Sequence, residues 1–354
     1  MAYAAPKLLK LFSFTDSPDF TLDDLFEAEK AGKIPNFTGR RKSSWTLPQI
    51  GAIGEQFGFL AKPQKPVVIT SFITKGGVLK STLVLNLARM AALHNIKTCV
   101  VGLDMQGDIT AALGCQQDLE NASDLHEALT QLSAIRGLPE VMFQKSSPLD
   151  LIVETDIPQL SLIPETPELV ALEQSLTLKI RREFWLKENV IEPLKQEFDL
   201  IVLDASPNWN QLITNALAAS DLLLSPLECK INNFRNLKMF QSFIAEFKHD
   251  LQLQFDHFYI PTRFSEQRKL SREIFDWYQS HLDNCSSIPI RESVAGEEAS
   301  ALNQSIPEYS PSSPVALEMN SILKMIWNRP VFRMAEGQKS KMLSEGGSYG
   351  AFVE

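Results

Sequence analysis

The chain predicts an α/β fold with a doubly wound, mainly parallel sheet and a small helical N-terminal extension. Two observations carry this. Short β-rich apolar runs alternate with helical runs across residues 66–330, the pattern of parallel strands joined by right-handed helical crossovers. The residues best suited to chemistry each follow one of those strand candidates, and sheets of this kind hold ligands at the carboxyl ends of their strands.

In chain order, residues 1–65 precede the first core strand. Thr21 reads as the N-cap of an amphipathic helix, with Asp23 and Asp24 in the favoured first turn and Gly32 closing it. A second capped helix reads from Trp45 to Gly58, with Pro48 in its first turn. The basic cluster Arg40-Arg41-Lys42 lies between them. Two short helices flanking a basic loop fit a DNA-binding helix-turn-helix and a purely supporting helical arm equally well. Ala61 to Pro66 reads as a linker. The strand candidates are 67–72, 98–104, 149–153, 160–163, 200–204, 222–226 and 257–261. Helical runs cover 81–94, 166–178, 181–196, 210–219, 231–249 and 271–282. Residues 331–354 are polar and glycine-containing and read as a mobile tail.

At 354 residues the chain can bury a full core. Its net charge of −9 excludes a protein coated in basic surface, though not a local basic patch. The four cysteines, Cys99, Cys115, Cys229 and Cys285, are widely spaced, which indicates neither a zinc site nor a disulfide framework and suits a reducing compartment. The first twenty residues lack a long apolar stretch, so no signal peptide is expected. No run is long and apolar enough for a transmembrane helix.

The most informative stretch is Ile69-Thr-Ser-Phe-Ile-Thr-Lys-Gly-Gly-Val-Leu-Lys-Ser-Thr82. A β-rich run feeds a glycine turn, then Lys80-Ser81-Thr82, then an apolar helical run. That order builds a phosphate cradle. Backbone N–H groups and the positive helix end bind anionic oxygens, the lysine adds charge, and the serine hydroxyl can reach Mg²⁺. Further along, Asp104 ends the strand run Thr98-Cys-Val-Val-Gly-Leu, and Asp204 follows the run Phe198-Asp-Leu-Ile-Val-Leu. A strand-end aspartate such as Asp204 either caps a helix or holds a metal opposite the loop serine, and the preceding cradle favours the metal.

Lys75-Gly76-Gly77-Val78-Leu79-Lys80-Ser81-Thr82 resembles the deviant Walker A loop of the ParA/MinD family of P-loop ATPases, KGGVGK[ST]T. Thr74 stands for the first glycine of the general P-loop, and Leu79 stands where the family has glycine. Asp104-Met-Gln-Gly107 resembles the family's DxDPQGxxT, with Gly102 for the first aspartate and Met105 for the proline. The stretch around Asp204 resembles its Walker B strand. The likeness runs from about Pro66 to Asn328. It implies ATP and Mg²⁺ as cofactors. Gly76, Gly77, Val78, Lys80, Ser81 and Thr82 would hold the nucleotide, and Ser81 and Asp204 the metal. Asp104 would orient the attacking water and sense the γ-phosphate. Lys75 would reach across a homodimer to the partner's nucleotide.

Pro261-Thr-Arg263 and the segments after it resemble the part of plasmid and chromosome partition proteins that contacts DNA phosphates without reading sequence. By that likeness Arg263, Arg268, Lys269, Arg272 and Arg291 are the DNA-binding candidates, although a solvated charged face explains them too. The resemblance also implies a ParB-like centromere-binding partner that stimulates hydrolysis, and a cytoplasmic, nucleoid-associated protein. The residues Ser344 to Gly350 cannot form the basic amphipathic helix that anchors the family's membrane-binding members. Leu79 predicts weakened ATP binding or turnover, because the loop backbone demands conformations costly for a β-carbon. A binding paralogue that no longer hydrolyses ATP, and a repressor acting through residues 21–60, are the competing readings.

Overall fold

The structure is a computed structural model. It describes residues 2–14, 19–37, 44–116 and 135–333, apart from the side chains of 232–235. The basic cluster at 40–42 and most of the expected tail lie outside the described residues.

The strands are β1 (Ala2–Ala4), β2 (Ser44–Thr46), β3 (Val67–Ser71), β4 (Thr98–Gly102), β5 (Val153–Glu154), β6 (Leu160–Ile163), β7 (Leu200–Asp204), β8 (Leu222–Glu228) and β9 (Asp256–Thr262). One sheet has the order β5-β6-β4-β7-β3-β8-β9. All its described pairs are parallel except β5 with β6. The chain starts near the middle at β3, winds outward through β4 and β6, returns to β7, and continues outward through β8 and β9. That is the expected doubly wound sheet. Every residue of β3, β4, β7 and β8 is buried, because helices cover both faces and the strands can be apolar throughout.

Alternate β3 side chains serve different cores. Val67 and Ile69 join the cluster under α4 (Lys80–Leu93), while Val68 joins the cluster on the opposite face with Leu172, Val190 and Ala216. The N-terminal extension belongs to the first of these clusters. Its helices are α1 (Ala5–Leu11), α2 (Leu22–Lys30) and α3 (Leu47–Phe57). Tyr3, Leu8, Trp45, Ile50 and Ile53 share one buried core with Leu87 of α4 and Val100 of β4. The expected Thr21 cap is present and forms a reciprocal capping box with Asp24, whereas the second helix starts only at Leu47: Trp45 lies in β2, and the Thr46 N–H and hydroxyl donate to Gln49 Oε1. Gly54 lets α3 sit on the end of α4. A β-carbon there would lie 2.8 Å from the Leu93 carbonyl carbon and closer still to its oxygen.

Two sequence expectations need correction. Residues 149–153 do not form a strand. Ser147 caps a 3₁₀ turn over Pro148–Leu151, its hydroxyl accepting from the Leu149 N–H, and only Val153–Glu154 pairs, antiparallel, with β6. A capped proline competes there with extended pairing. The helical run 181–196 is also not one α-helix. It divides into a 3₁₀ turn at Arg182–Phe184, a π turn at Lys187–Ile191 and a short α turn at Glu192–Leu194, around Pro193, which supplies no N–H. The sequence also predicts no helical run after residue 282. The structure forms helices at Ala295–Ala301, Ile306–Tyr309 and Pro314–Trp327.

Candidate functional site

The strand register levels three chain segments at one edge of the sheet. Ser71 of β3 and Gly102 of β4 are both register partners of Asp204 on β7. The loop after β3, the turn after β4 and the end of β7 therefore converge.

The loop after β3 turns through two left-handed residues, Gly77 (φ +71°) and Leu79 (φ 72°, ψ 29°), and then enters α4 at Lys80. Glycine takes this backbone freely, whereas for leucine it costs about 1–3 kcal/mol. The Leu79 side chain is partly buried. It packs against the core and lines a neighbouring cavity of about 720 Å³, with Thr82, Arg263, Arg291, Val294 and Ile306 also in its wall. Ser81 and Thr82 lie in the first turn of α4, where free N–H groups favour an anion.

Lys80 is buried, and its Nζ donates to the Lys75 carbonyl at 3.2 Å. Burial lowers its pKa, while Asp204, Asp104 and Asp108 act in the opposite direction. Asp204 is fully buried, and neither carboxylate oxygen has a close hydrogen-bond partner among the described residues. Burial pushes its pKa up to about 8; the Ser81 hydroxyl lies near enough to oppose that shift but makes no well-formed hydrogen bond to it. A buried carboxylate without partners is costly. A cation beside Ser81 removes that cost, so the donor set fits Mg²⁺ shared with phosphate oxygens.

Asp104 follows β4 and caps its own turn, accepting from the Gln106 N–H at 3.3 Å. Gly107, at φ +73°, then starts α5 (Asp108–Ala112). The absent first aspartate leaves Gly102 bare. The buried carboxylate of Glu165, from the loop after β6, lies over it and accepts from the Thr110 hydroxyl of α5. Burial raises the Glu165 pKa to about 7, with hydrogen bonds from Thr110 opposing. The sequence reading missed Glu165. Its one available signal was the glycine at 102, a side chain missing from a packed place.

Lys75 is not simply solvated. Its Nζ pairs with Glu228 at the end of β8, at 2.8 Å. Lys230 also reaches Glu228, at 2.7 Å, and Arg263 approaches it at 3.8 Å. The five expected DNA-binding residues fall into two groups. Arg263 and Arg291 line the cavity beside the loop, and Arg291 is bound to Glu318 through its guanidinium. Arg268, Lys269 and Arg272 are exposed at the start of the helix Lys269–His281. Arg268 lies 3.4 Å from Glu292, and Lys269 lies 3.4 Å from Glu273.

A parallel sheet, a glycine loop running into a buried lysine, and an opposed strand-end aspartate define a P-loop NTPase. The chain belongs to the AAA domain family (AAA_31), whose model matches residues 67–257, and within it to the ParA/MinD group. It is 35% identical over 156 residues to the chromosome partitioning protein ParA of Myxococcus xanthus, covering 44% of this chain and half of that protein. It is 26% identical over 268 residues to the cell division protein PomZ of the same organism, covering 75% and 79%. Among solved structures, a putative plasmid partition protein of Borrelia burgdorferi bound to AMPPNP shares the fold. The TM-score is 0.60, with 23% identity over 74% of this chain and 98% of that one. McdA of Cyanothece, solved as a variant with ATP, has a TM-score of 0.63 at 18% identity, covering 73% and 95%.

Proposed function

We propose that the chain is a ParA-like partition ATPase. It binds MgATP through Gly76, Gly77, Val78, Lys80, Ser81 and Thr82, and Ser81 and Asp204 are the residues that would hold the metal. The observation that carries this reading is the unpartnered Asp204 carboxylate, buried opposite a loop with a buried lysine and a free helix N-terminus. When bound, the metal neutralises phosphate charge. Lys80 adds to that neutralisation, and Asp104 is exposed enough to orient a water. Lys75 leaves Glu228 and reaches the partner's nucleotide, so ATP stabilises a homodimer that ADP does not.

The dimer binds DNA nonspecifically, with Arg268, Lys269 and Arg272 as the outer contacts and Arg263 and Arg291 behind them. A ParB-like centromere-binding protein stimulates hydrolysis. The protein acts in the cytoplasm on the nucleoid, moving a plasmid or chromosome. No described helix is long and apolar enough to cross a membrane.

The test is DNA association with ATP, ADP or no nucleotide across a salt series. ATP-dependent, sequence-independent binding that weakens steeply with salt is expected. Replacing Arg268, Lys269 and Arg272 with alanine lowers the salt slope by about one unit for every phosphate that is no longer neutralised. No association under any condition rejects the partition reading. A second reading rests on the left-handed Leu79: a paralogue that binds ATP and hydrolyses it poorly. Slow phosphate release beside tight ATP binding selects it.

A further inference from the structure

Gly102 ends β4 in register with Asp204, and its missing side chain has been replaced from elsewhere. A β-carbon built on Gly102 would lie 2.6 Å from Glu165 Oε2 and closer still to Glu165 Cδ and Cγ. The Glu165 carboxylate therefore fills the volume that a residue at 102 would otherwise occupy. It is only 7% exposed. Oε2 takes the Thr110 hydroxyl, while Oε1 has no hydrogen-bond partner among the described residues. Both Asp204 oxygens are in the same condition on the adjacent strand. Glu165 lies near enough for its charge to act on Asp204, and Asp104 acts on both.

Three unpartnered oxygens on two buried carboxylates make a place that is unfavourable without positive charge. Lys80 is the buried lysine whose charge Asp204 supports, yet its described hydrogen bond goes to the Lys75 carbonyl. Glu165 is also tied through Thr110 to α5, the helix that directly follows the Asp104 turn.

We propose that Glu165 is a positioning residue of the metal–nucleotide site: a relocated carboxylate that stands where the Gly102 side chain is missing, supplies negative charge beside Asp204, and braces the Asp104 turn through Thr110. This inference rests on the reading of the loop as a magnesium–nucleotide site. It predicts that the carboxylate can be moved back. Gly102→Asp alone collides with Glu165, whereas Gly102→Asp with Glu165→Ala restores one acidic group in the same space.

The test uses the full chain, melting without ligand, and a magnesium titration of binding to a fluorescent non-hydrolysable ATP analogue. Glu165→Gln keeps the bond to Thr110 and melts with the native protein, yet needs roughly tenfold more Mg²⁺ for half-saturation, the size typical of groups that support a metal's ligands. Glu165→Ala needs at least as much. Gly102→Asp melts well below native, and the double variant regains both the melting temperature and the native magnesium requirement within about twofold, a small part of that tenfold effect. Native magnesium dependence in Glu165→Gln, or a double variant no better than Glu165→Ala, overturns the inference. If the native protein itself shows no magnesium-dependent binding, the nucleotide-site reading fails and takes this inference with it. That result is distinct, because the melting series still shows whether positions 102 and 165 share one space.

Discussion

Lys75 Nζ stands 2.8 Å from the Glu228 carboxylate of its own chain. Glu228 is the meeting point of three cations, with Lys230 and Arg263 on its other side. Burial alone would raise its pKa, but Lys230 and Lys75 hold it below the ordinary glutamate value. The lysine proposed to cross a dimer interface therefore starts with a partner it must leave.

Dimerisation should respond to both ends of this pair. Lys75→Ala keeps the protein monomeric with a non-hydrolysable ATP analogue, as measured by light scattering, while the native chain doubles in mass. Glu228→Gln shifts the dimer midpoint to lower nucleotide by up to about fivefold, since a pair whose lysine is still partly exposed is worth about 0.2–1 kcal/mol. A dimer of Lys75→Ala at native strength would remove the crossing role.

Leu79 makes the loop testable from the other side. Leu79→Gly removes a β-carbon from a left-handed position and gives up some apolar packing. Relief of about 1 kcal/mol of strain corresponds to roughly a fivefold gain in kcat/KM for ATP. Steady-state phosphate release measures it. Equal turnover in both proteins shows that Leu79 is no brake.

Arg89 is 1% exposed and joins Glu308 and Asp156, with Nε 2.7 Å from Glu308. Arg89→Met leaves Glu308 buried without its cation, which costs about 3–5 kcal/mol. Chemical denaturation should show this as a lower midpoint with little change in slope. The pair also sets an acid limit. Burial would push the Glu308 carboxyl up, but Arg89 and the Ser305 N–H and hydroxyl hold it below its ordinary 4.5. A depressed carboxyl stabilises the fold above that value and loses its contribution as pH falls below it. Native stability therefore drops below about pH 4.5 more steeply than that of Arg89→Met.

Gly54 tests how the extension is attached. Gly54→Ala drives a β-carbon against the Leu93 carbonyl, and neither backbone can yield without moving a helix. Overpacking of this kind costs about 1–3 kcal/mol or more. Hydrogen exchange in α3 should rise far above that of the central strands. Unchanged exchange would show that the two helices separate cheaply.

The sheet and its motifs were legible because each depends on neighbours in sequence. Apolar runs gave the buried strands, and the cap at Thr21 and the first-turn Pro48 gave their helices. Lys80, Asp104 and Asp204 were legible because each follows a strand, and parallel register brings strand ends together. What was not legible depends on distant packing. Glu165 sits over Gly102 only because β6 lies beside β4. Lys75 meets Glu228 only because β8 lies beside β3. Nothing local to Gly54 says that it touches Leu93. The 3₁₀ turn at Pro148 and the π turn before Pro193 look apolar enough for regular elements, and proline chemistry overrules that pattern.

The bond from Tyr3 to Glu308 spans 305 positions. At about 5–20 residues per second, a ribosome needs roughly 15–60 s to bring out the second partner after the first. Throughout that interval Tyr3, Leu8 and Leu11 have only part of their final packing. The arm therefore closes over the core only after the segment around Glu308 has been made, long after its own residues have emerged.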